Sequence, residues 1–327
     1  MIPEKSEFPK YSPPKNWLPQ IVAICLCACR AIYFAQADEL VDDLADGRQE
    51  KRLRVVSWNV EKYFVKPNPL GPMKSLQSRE AIARGLTAMK PDIILFQELG
   101  GEDGLMDIQR RLEKNGMRME YSLTGFGVDP NLSLGVLSRI PFASAEIISR
   151  LEFTHRGQLL AVNRGLMRIL VAGPTGQKIE IFNVHLKSRR EVSYGDATLI
   201  RFQEATLIRQ AINRYIAENP SYFRVLGGDM NDSPDTRTLR TLKGSGSTRL
   251  EDNIWGLFGE RPDGRGRNDA WTLFYEPEQS HHRFDYLMTS PGLKKHIDIS
   301  ASGVFEMRDW GVASDHRPVV LTMDFKP

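Results

Sequence analysis

The stretch Gly227-Gly228-Asp229-Met230-Asn231-Asp232-Ser233-Pro234 decides how this chain is read. It follows Tyr222-Phe223-Arg224-Val225-Leu226, an apolar run with the length of a short buried strand, so a strand is expected over 223–226. Two glycines let the backbone turn sharply where that strand ends. The turn then presents a carboxylate, Asp229, and two residues later a carboxamide, Asn231, on one side of the chain. Ser233-Pro234 has the form of a helix start, with Ser as N-cap and Pro in the first turn. A carboxylate can take a proton from water, and a carboxamide can donate to an oxygen that gains charge, which suits chemistry on a phosphate. Asp-x-Asn is also ordinary turn chemistry, so the motif acquires meaning only from what accompanies it.

Working outward, strands and helices alternate from Leu53 onward. Strands are expected at Leu53–Val60, Asp92–Glu98, Leu134–Ser138, Ala145–Leu151, Leu159–Val171, Lys178–Leu186, Phe284–Thr289, Ile299–Val304 and Val319–Met323. Helical spacing covers Ser78–Lys90, stopped by Pro91; Gly104–Asn115, closed by Gly116; and Thr198–Glu218, whose apolar stripe runs Phe202, Ala205, Ile208, Ala211, Ile212 and Tyr215. Gly173-Pro174-Thr175-Gly176 reads as a hairpin turn, and Gly259–Asn268 as the most loop-like interior segment. Many strands with a few covering helices predict an α/β architecture of two packed sheets with helices outside.

The 327 residues suffice for one large domain, and 41% hydrophobic content allows a full core. The formal charge of +3 is not evidence of a polyanionic partner. Residues 1–37 hold four basic and two acidic residues, which leaves 40 against 39 in the remainder, so any such binding needs a local patch. Lys10 and Lys15 precede the apolar run Ile21–Cys29, interrupted by Arg30, and Ala35-Gln36-Ala37 has the small-x-small form of a cleavage site. Residues 1–37 are therefore read as an export signal, 38–52 as a flexible lead-in and 53–327 as a single domain. An uncleaved membrane anchor is the alternative, although the apolar run is shorter than the ~20 residues that span a bilayer. Cys25, Cys27 and Cys29 all lie in this leader. The mature chain is thus expected to lack a disulfide framework, a thiolate zinc site and a cysteine nucleophile.

The polar residues at strand ends form a set. Ser57-Trp58-Asn59-Val60-Glu61, Gln97-Glu98, Asn183-Val184-His185-Leu186-Lys187-Ser188, Asp229 with Asn231, Arg283-Phe284-Asp285-Tyr286 and Ser314-Asp315-His316-Arg317-Pro318 each close or open a strand. Strand ends in layered folds converge on one rim. Hard oxygen donors such as Glu98 suit Mg²⁺ or Mn²⁺. The chain has no His-x-x-x-His or cysteine pair for zinc, no Gly-x-Ser-x-Gly elbow and no P-loop. Water activated by a carboxylate is favoured over a covalent nucleophile.

These motifs, in this order, resemble the endonuclease/exonuclease/phosphatase (DNase I-like) superfamily over about Leu53–Phe325. The resemblance implies a four-layer α/β/β/α sandwich of two mixed sheets with outer helices. It implies Glu98 as principal metal ligand, with Asn59 and Glu61 lining the metal side; Asp is commoner than Glu at position 61 in some branches. Asp229 would orient or deprotonate the attacking water, and Asn231 would hold the phosphate. His316 would contact the scissile phosphate with Asp285 fixing its ring, and Asp315 would complete the metal or phosphate site. His185 takes the place of a second phosphate-binding histidine, while Lys187 and Arg201 resemble phosphate-contacting basic residues of deadenylase-like branches.

The expected function is an exported, Mg²⁺- or Mn²⁺-dependent phosphodiesterase, an endonuclease acting on nucleic acid as a monomer without an obligate protein partner. A phosphomonoesterase, a phospholipid phosphodiesterase or a non-catalytic interaction module on the same fold are the alternatives. Arg261, Arg265 and Arg267 read as a solvated loop, and Trp255 and Trp271 as core or loop anchors rather than base-stacking platforms.

Overall fold

The computed structural model describes residues 51–254 and 270–325. The leader over 1–37, nearly all of the lead-in over 38–52 and the segment 259–268 lie outside them. In chain order the elements are β1 (Arg52–Tyr63), α1 (Leu76–Met89), β2 (Ile93–Leu99), α2 (Glu102–Lys114), β3 (Tyr121–Gly125), β4 (Ser133–Ser138), β5 (Phe142–Ile148), β6 (Glu152–His155), β7 (Gln158–Ala161), β8 (Leu166–Ala172), β9 (Lys178–His185) and α3 (Ala197–Glu218). There follow β10 (Phe223–Asp229), α4 (Arg237–Lys243), β11 (Leu273–Tyr275), β12 (Ser280–His282), β13 (Asp285–Thr289), β14 (Gly303–Val304), α5 (Trp310–Ala313) and β15 (Val319–Asp324), with short 3₁₀ turns between.

Six strands form one sheet in the order β14-β15-β1-β2-β4-β3, and five form another in the order β13-β10-β9-β8-β5. Each sheet has one parallel pair near its centre, β1 with β2 and β9 with β10. Both pairs are joined by a helix, α1 in the first sheet and α3 in the second, as parallel neighbours require. Alternation along the strands sorts the side chains. Leu53, Val55, Ile93, Leu95, Leu134 and Val136 of the first sheet share a buried core with Ile169, Ile179, Ile181, Val225 and Leu287 of the second. The residues between them face outward. Val56, Trp58, Ile94 and Phe96 pack on Ile82 and Leu86 of α1 and on Leu105 and Ile108 of α2. Phe182, Val184 and Leu226 pack on Ala205, Ile208 and Ile212 of α3 and on Leu239 of α4. The layers are α/β/β/α, as the motif order implies.

Some boundaries move, each for a physical reason. The strand expected over 223–226 runs on to Asp229, and Gly227-Gly228 lies inside it. A Cβ on Gly227 would sit 2.7 Å from side-chain carbons of both Leu287 and Leu95, and one on Gly228 (φ +134°) would sit 1.9 Å from the Val184 carbonyl oxygen. The glycines thus serve close sheet approach and backbone conformation rather than a turn. Ser233 is not an N-cap: α4 begins at Arg237, and Thr236 caps it by accepting from the Leu239 amide. The run 159–171 breaks at Asn163–Gly165 into β7 and β8. Ile299–Ala301 is a 3₁₀ turn that leaves only Gly303–Val304 as strand. Edge strand β3 is only partly buried, so it lacks the apolar run that reveals the central strands.

On the outer side of the first sheet, Asp107 of α2 accepts from Tyr63 Oη at 2.8 Å, from Arg111 Nε at 2.7 Å and from Arg79 of α1 at 3.4 Å. Burial would raise the Asp107 pKa, but the bonds from Arg111 and Tyr63 and the charge of Arg79 outweigh it and hold the group below its ordinary value. A carboxylate pKa depressed by folding contributes stability above its unfolded value, near 3.9, and loses it as pH falls through the folded value. Asp107→Asn is expected to lower unfolding free energy by about 2 kcal/mol at neutral pH. The deficit should shrink below about pH 4, as read by urea denaturation; a deficit independent of pH would contradict this assignment.

Candidate active site

At the carboxyl ends of the two parallel pairs, the rows that face the opposite sheet change from apolar to polar. Asn59 continues the row of Leu53, Val55 and Ser57; Gln97 continues Ile93 and Leu95; Asn183 and His185 continue Ile179 and Ile181; Asp229 continues Val225 and Gly227. Asp285 opens β13 directly opposite Asp229 in the antiparallel register. Crevices outside the carboxyl ends of parallel strands are where α/β folds bind ligands. Beneath the crevice, Gln97 Nε2 donates to Asn183 Oδ1 at 2.7 Å, and Asn183 Nδ2 donates to the Phe96 and Gly135 carbonyls at 3.0 and 3.1 Å. This amide pair crosses from sheet to sheet and joins the apolar core to the polar end.

Asp229 lies at the centre, 1% exposed. Its Oδ2 accepts from Asn59 Nδ2 at 3.0 Å, across the gap between the sheets, and from Asn231 Nδ2 at 3.2 Å; its Oδ1 accepts from the Asn231 amide at 2.8 Å. His185 Nε2 is 3.5 Å and His316 Nε2 3.9 Å from the same Oδ2. His316 Nδ1 is 2.8 Å from Asp285 Oδ2, and Asp315 Oδ1 is 3.9 Å from His316 Nε2. Glu98 Oε2 accepts the Lys62 amide at 3.0 Å, and its Oε1 takes only a long 3.4 Å bond from Asn59. Glu61, Glu98 and Asn231 all have left-handed backbones, with φ of 45°, 63° and 50°. At Glu98 the conformation accompanies a register shift that brings the side chain round to the crevice, and such bulges and strained residues concentrate beside functional sites.

Asn59, Glu98, His185, Asp229, Asn231, Asp285, Asp315 and His316 therefore come together. Glu61 sits at the rim, its carboxylate 3.3 Å from Lys74 Nζ, which also donates to the Glu61 carbonyl at 2.8 Å. Lys187 and Arg201 are placed differently from expectation. Lys187 Nζ donates to Ser188 O, Ser188 Oγ and Arg190 O at 3.0, 3.3 and 2.7 Å. Arg201 is 2% exposed and bonds Asp232 at 3.2 Å. Both cations are engaged by their own chain, fastening the loops after β9 and β10, which a spacing argument from sequence does not reveal. Two further groups support this arrangement. Ser314 Oγ donates to the Asn59 carbonyl at 2.8 Å and accepts the His316 amide at 3.0 Å. Thr272 Oγ1 accepts the Asp285 amide at 3.0 Å. Ser314 belongs to the Ser314–Pro318 strand-end motif, whereas Thr272 and Lys74 carry no sequence signal beyond their types.

A model of the endonuclease/exonuclease/phosphatase family matches residues 56–316. The chain belongs to this family. No curated protein matches its sequence. Among solved structures, truncated Caenorhabditis elegans TDP2 is similar with a TM-score of 0.58 and 18% identity, over 84% of this chain and 97% of that one. The human Nocturnin catalytic domain, solved with a bound sulfate anion, gives 0.59 and 16% over 86% and 97%. D. rerio TDP2, solved with a single-strand DNA product, gives 0.55 and 21% over 83% and 98%. At these identities the likeness carries the fold alone.

Within this endonuclease/exonuclease/phosphatase chain the neighbours set opposite states on two histidines. Burial holds the His185 pKa well below its ordinary value, with the like charges of Arg164, His316 and Lys187 adding to it. Burial would do the same to His316, but Asp285 first, then Asp229 and Asp315, outweigh it and hold that ring protonated well above the ordinary value. Burial, reinforced by the Asp285 charge, pushes Asp229 up to about 7. Burial also raises Asp315, with Glu61 adding to it and His316 opposing.

Asp229, Asp285 and His316 form a buried group whose ligand atoms lie within 4.8 Å of one another. The Asp285 bond and the charged ring make His316 a donor there, since a doubly protonated imidazole has no lone pair for a metal. Glu98 fits a divalent cation better. Its oxygens are hard donors, and Oε1 has only the long Asn59 bond and His185 Nε2 at 3.9 Å. Asp285→Asn removes the largest of the three carboxylate contributions that keep the His316 ring charged, so the His316 pKa should fall from its raised position. Imidazole NMR titration reads this; a His316 pKa unchanged from the parent would contradict it.

Proposed function

We propose that the chain hydrolyses phosphodiester bonds of nucleic acid with the help of a divalent cation, by in-line attack of water on phosphorus. The observation that carries the reading is geometric: the buried Asp229 carboxylate lies between Asn231 and the His316 ring that Asp285 bonds, and burial raises its proton affinity. A base is most effective when its pKa lies near the working pH. Asp229 takes the proton of the attacking water, with Asn59 and Asn231 fixing its oxygens. His316, kept charged by Asp285, donates to the phosphoryl oxygen on which charge develops. Neutral His185 offers a second polar contact beside Asp229, while Asn231, whose Nδ2 also donates to the Leu186 carbonyl at 3.0 Å, holds the carboxylate in place beside the phosphate. Glu98 would hold Mg²⁺ or Mn²⁺, with Asn59 and Asp315 beside it and Glu61 at the rim. The bound ion would supply charge neutralisation at the phosphate. The D. rerio TDP2 neighbour with its single-strand DNA product supports a nucleic-acid substrate. We propose export on the leader sequence alone; among the described residues no helix is long and apolar enough to cross a membrane.

The purified protein is to be assayed with Mg²⁺, with Mn²⁺ and with chelator, against plasmid DNA, abasic duplex, RNA, inositol phosphates and sphingomyelin. Metal-dependent cleavage of a nucleic acid is expected. Asp229→Asn should lose about 10²–10⁴-fold in turnover, and His316→Gln about 10²–10³-fold. Turnover of a small ester or a lipid without any nucleic acid would replace the substrate reading. Undiminished rates in Asp229→Asn would overturn the mechanism.

A further inference from the structure

Beyond Asn59 the backbone of β1 passes through two consecutive left-handed residues, Glu61 and Lys62, with φ of 45° and 48°. This turn sets two of the polar groups in the crevice. The Glu61 amide donates to Asn59 Oδ1 at 3.0 Å, which leaves Asn59 Nδ2 for Asp229, and the Lys62 amide donates to Glu98 Oε2 at 3.0 Å. A side chain from outside the turn holds it. The loop after β1 returns on itself: Asn68 and Gly71 exchange backbone bonds, and the Lys74 amide donates to the Phe64 carbonyl at 2.8 Å. That return brings the Lys74 side chain back to the turn, with only 7% of it exposed. Its Nζ donates to the Glu61 carbonyl at 2.8 Å and lies 3.3 Å from Glu61 Oε2.

Lys74 thus places a cation of the protein among the carboxylates on the Glu98 side of the crevice. Its charge reaches Asp315 as well: burial, then Glu61, push the Asp315 pKa up, and His316 and Lys74 oppose them. The Glu61 carboxylate is half-exposed, and among the described residues Lys74 is the contact that holds it. The ammonium is too buried, and too fully engaged by Glu61, to serve as a phosphate contact. Toward a divalent ion on Glu98 it acts in two ways. It repels the ion, being a compact point charge, and it occupies a carboxylate that would otherwise be free to join the ion's ligands. The number and charge of oxygen ligands set the affinity for hard cations.

We propose that Lys74 is a positioning residue that holds the Glu61 carboxylate away from the divalent ion on Glu98 and so sets the affinity of the site for that ion. This rests on the reading above in which Glu98 holds Mg²⁺ or Mn²⁺. The sign of the effect separates it from bracing alone. A lysine that only braced the turn would, on removal, loosen the Lys62 bond to Glu98 and weaken the ion. A lysine that withholds Glu61 would, on removal, release a carboxylate and strengthen it.

The test measures Mn²⁺ binding to the purified protein without substrate, by electron paramagnetic resonance of the free ion. The parent is expected to bind Mn²⁺, and Glu98→Gln to lose most of that affinity. Lys74→Met, which keeps the apolar stem and removes the charge, should bind Mn²⁺ about tenfold more tightly. Glu61→Gln should cost less than about threefold in the parent, where the carboxylate is already paired. In the Lys74→Met background it should cost about tenfold, because only there is the carboxylate free to ligate. Weaker or unchanged binding by folded Lys74→Met, or a Glu61→Gln loss as large in the parent as in that background, overturns the inference and leaves the metal reading standing. Should Lys74→Met show no cooperative thermal unfolding, Glu61→Gln and Glu98→Gln in the parent decide. Equal losses there place Glu61 on the ion and overturn the inference, and a loss confined to Glu98→Gln supports it. A parent that binds no Mn²⁺, or binds it no better than Glu98→Gln does, overturns both this inference and the cation reading beneath it.

Discussion

Asp229 is a carboxylate enclosed between two β-sheets, and a buried charge persists only where donors surround it. Its polar neighbours come from four segments. Asn59 reaches across from the first sheet, Asn231 folds back from the residues just after Asp229, and the histidine rings approach from β9 and from the segment leading into β15. The sheets must therefore close at a set distance and in a set register. The two features that enforce this are Gly227, where even a methyl group would strike both Leu95 and Leu287, and the Gln97–Asn183 amide pair that crosses the gap below. Fold and site answer to one constraint: the inner rows are apolar where the layers must adhere and polar where they must hold Asp229.

The same constraint separates two residues of one type. His185 and His316 both lie against Asp229 and are both buried, yet the first is held neutral and the second charged. The difference is Asp285, which bonds the His316 ring and has no counterpart at His185 among the described contacts. Titratable groups driven apart by their surroundings are the usual mark of divided acid and base roles. The left-handed backbones of Glu61, Glu98 and Asn231 point the same way, because such conformations cost energy and survive where the surroundings impose them.

Much of this is legible in the sequence because the features are local. A two-residue period decides which side chains share the inter-sheet face and carries Asn59, His185, Asp229 and Asp285 to its polar end, whereas Glu98 reaches the crevice through a register shift and His316 from the segment before β15. The unread part is what depends on contacts between distant segments. Gly227-Gly228 reads as a turn until Val184 and Leu95 are known to press on it. Lys187 and Arg201 read as phosphate contacts because type and spacing do not show that Ser188, Arg190 and Asp232 already hold them. Lys74 approaches Glu61 only because the loop after β1 doubles back.

The central claim is that this polar end of the sheet interface directs water onto phosphorus. Single-turnover hydrolysis of a phosphodiester in ¹⁸O-enriched water, with the divalent cation present, tests it most directly. One ¹⁸O is expected in the product phosphate and none in the departing hydroxyl. Label in the hydroxyl, or a phosphate free of label in the first turnover, would contradict it.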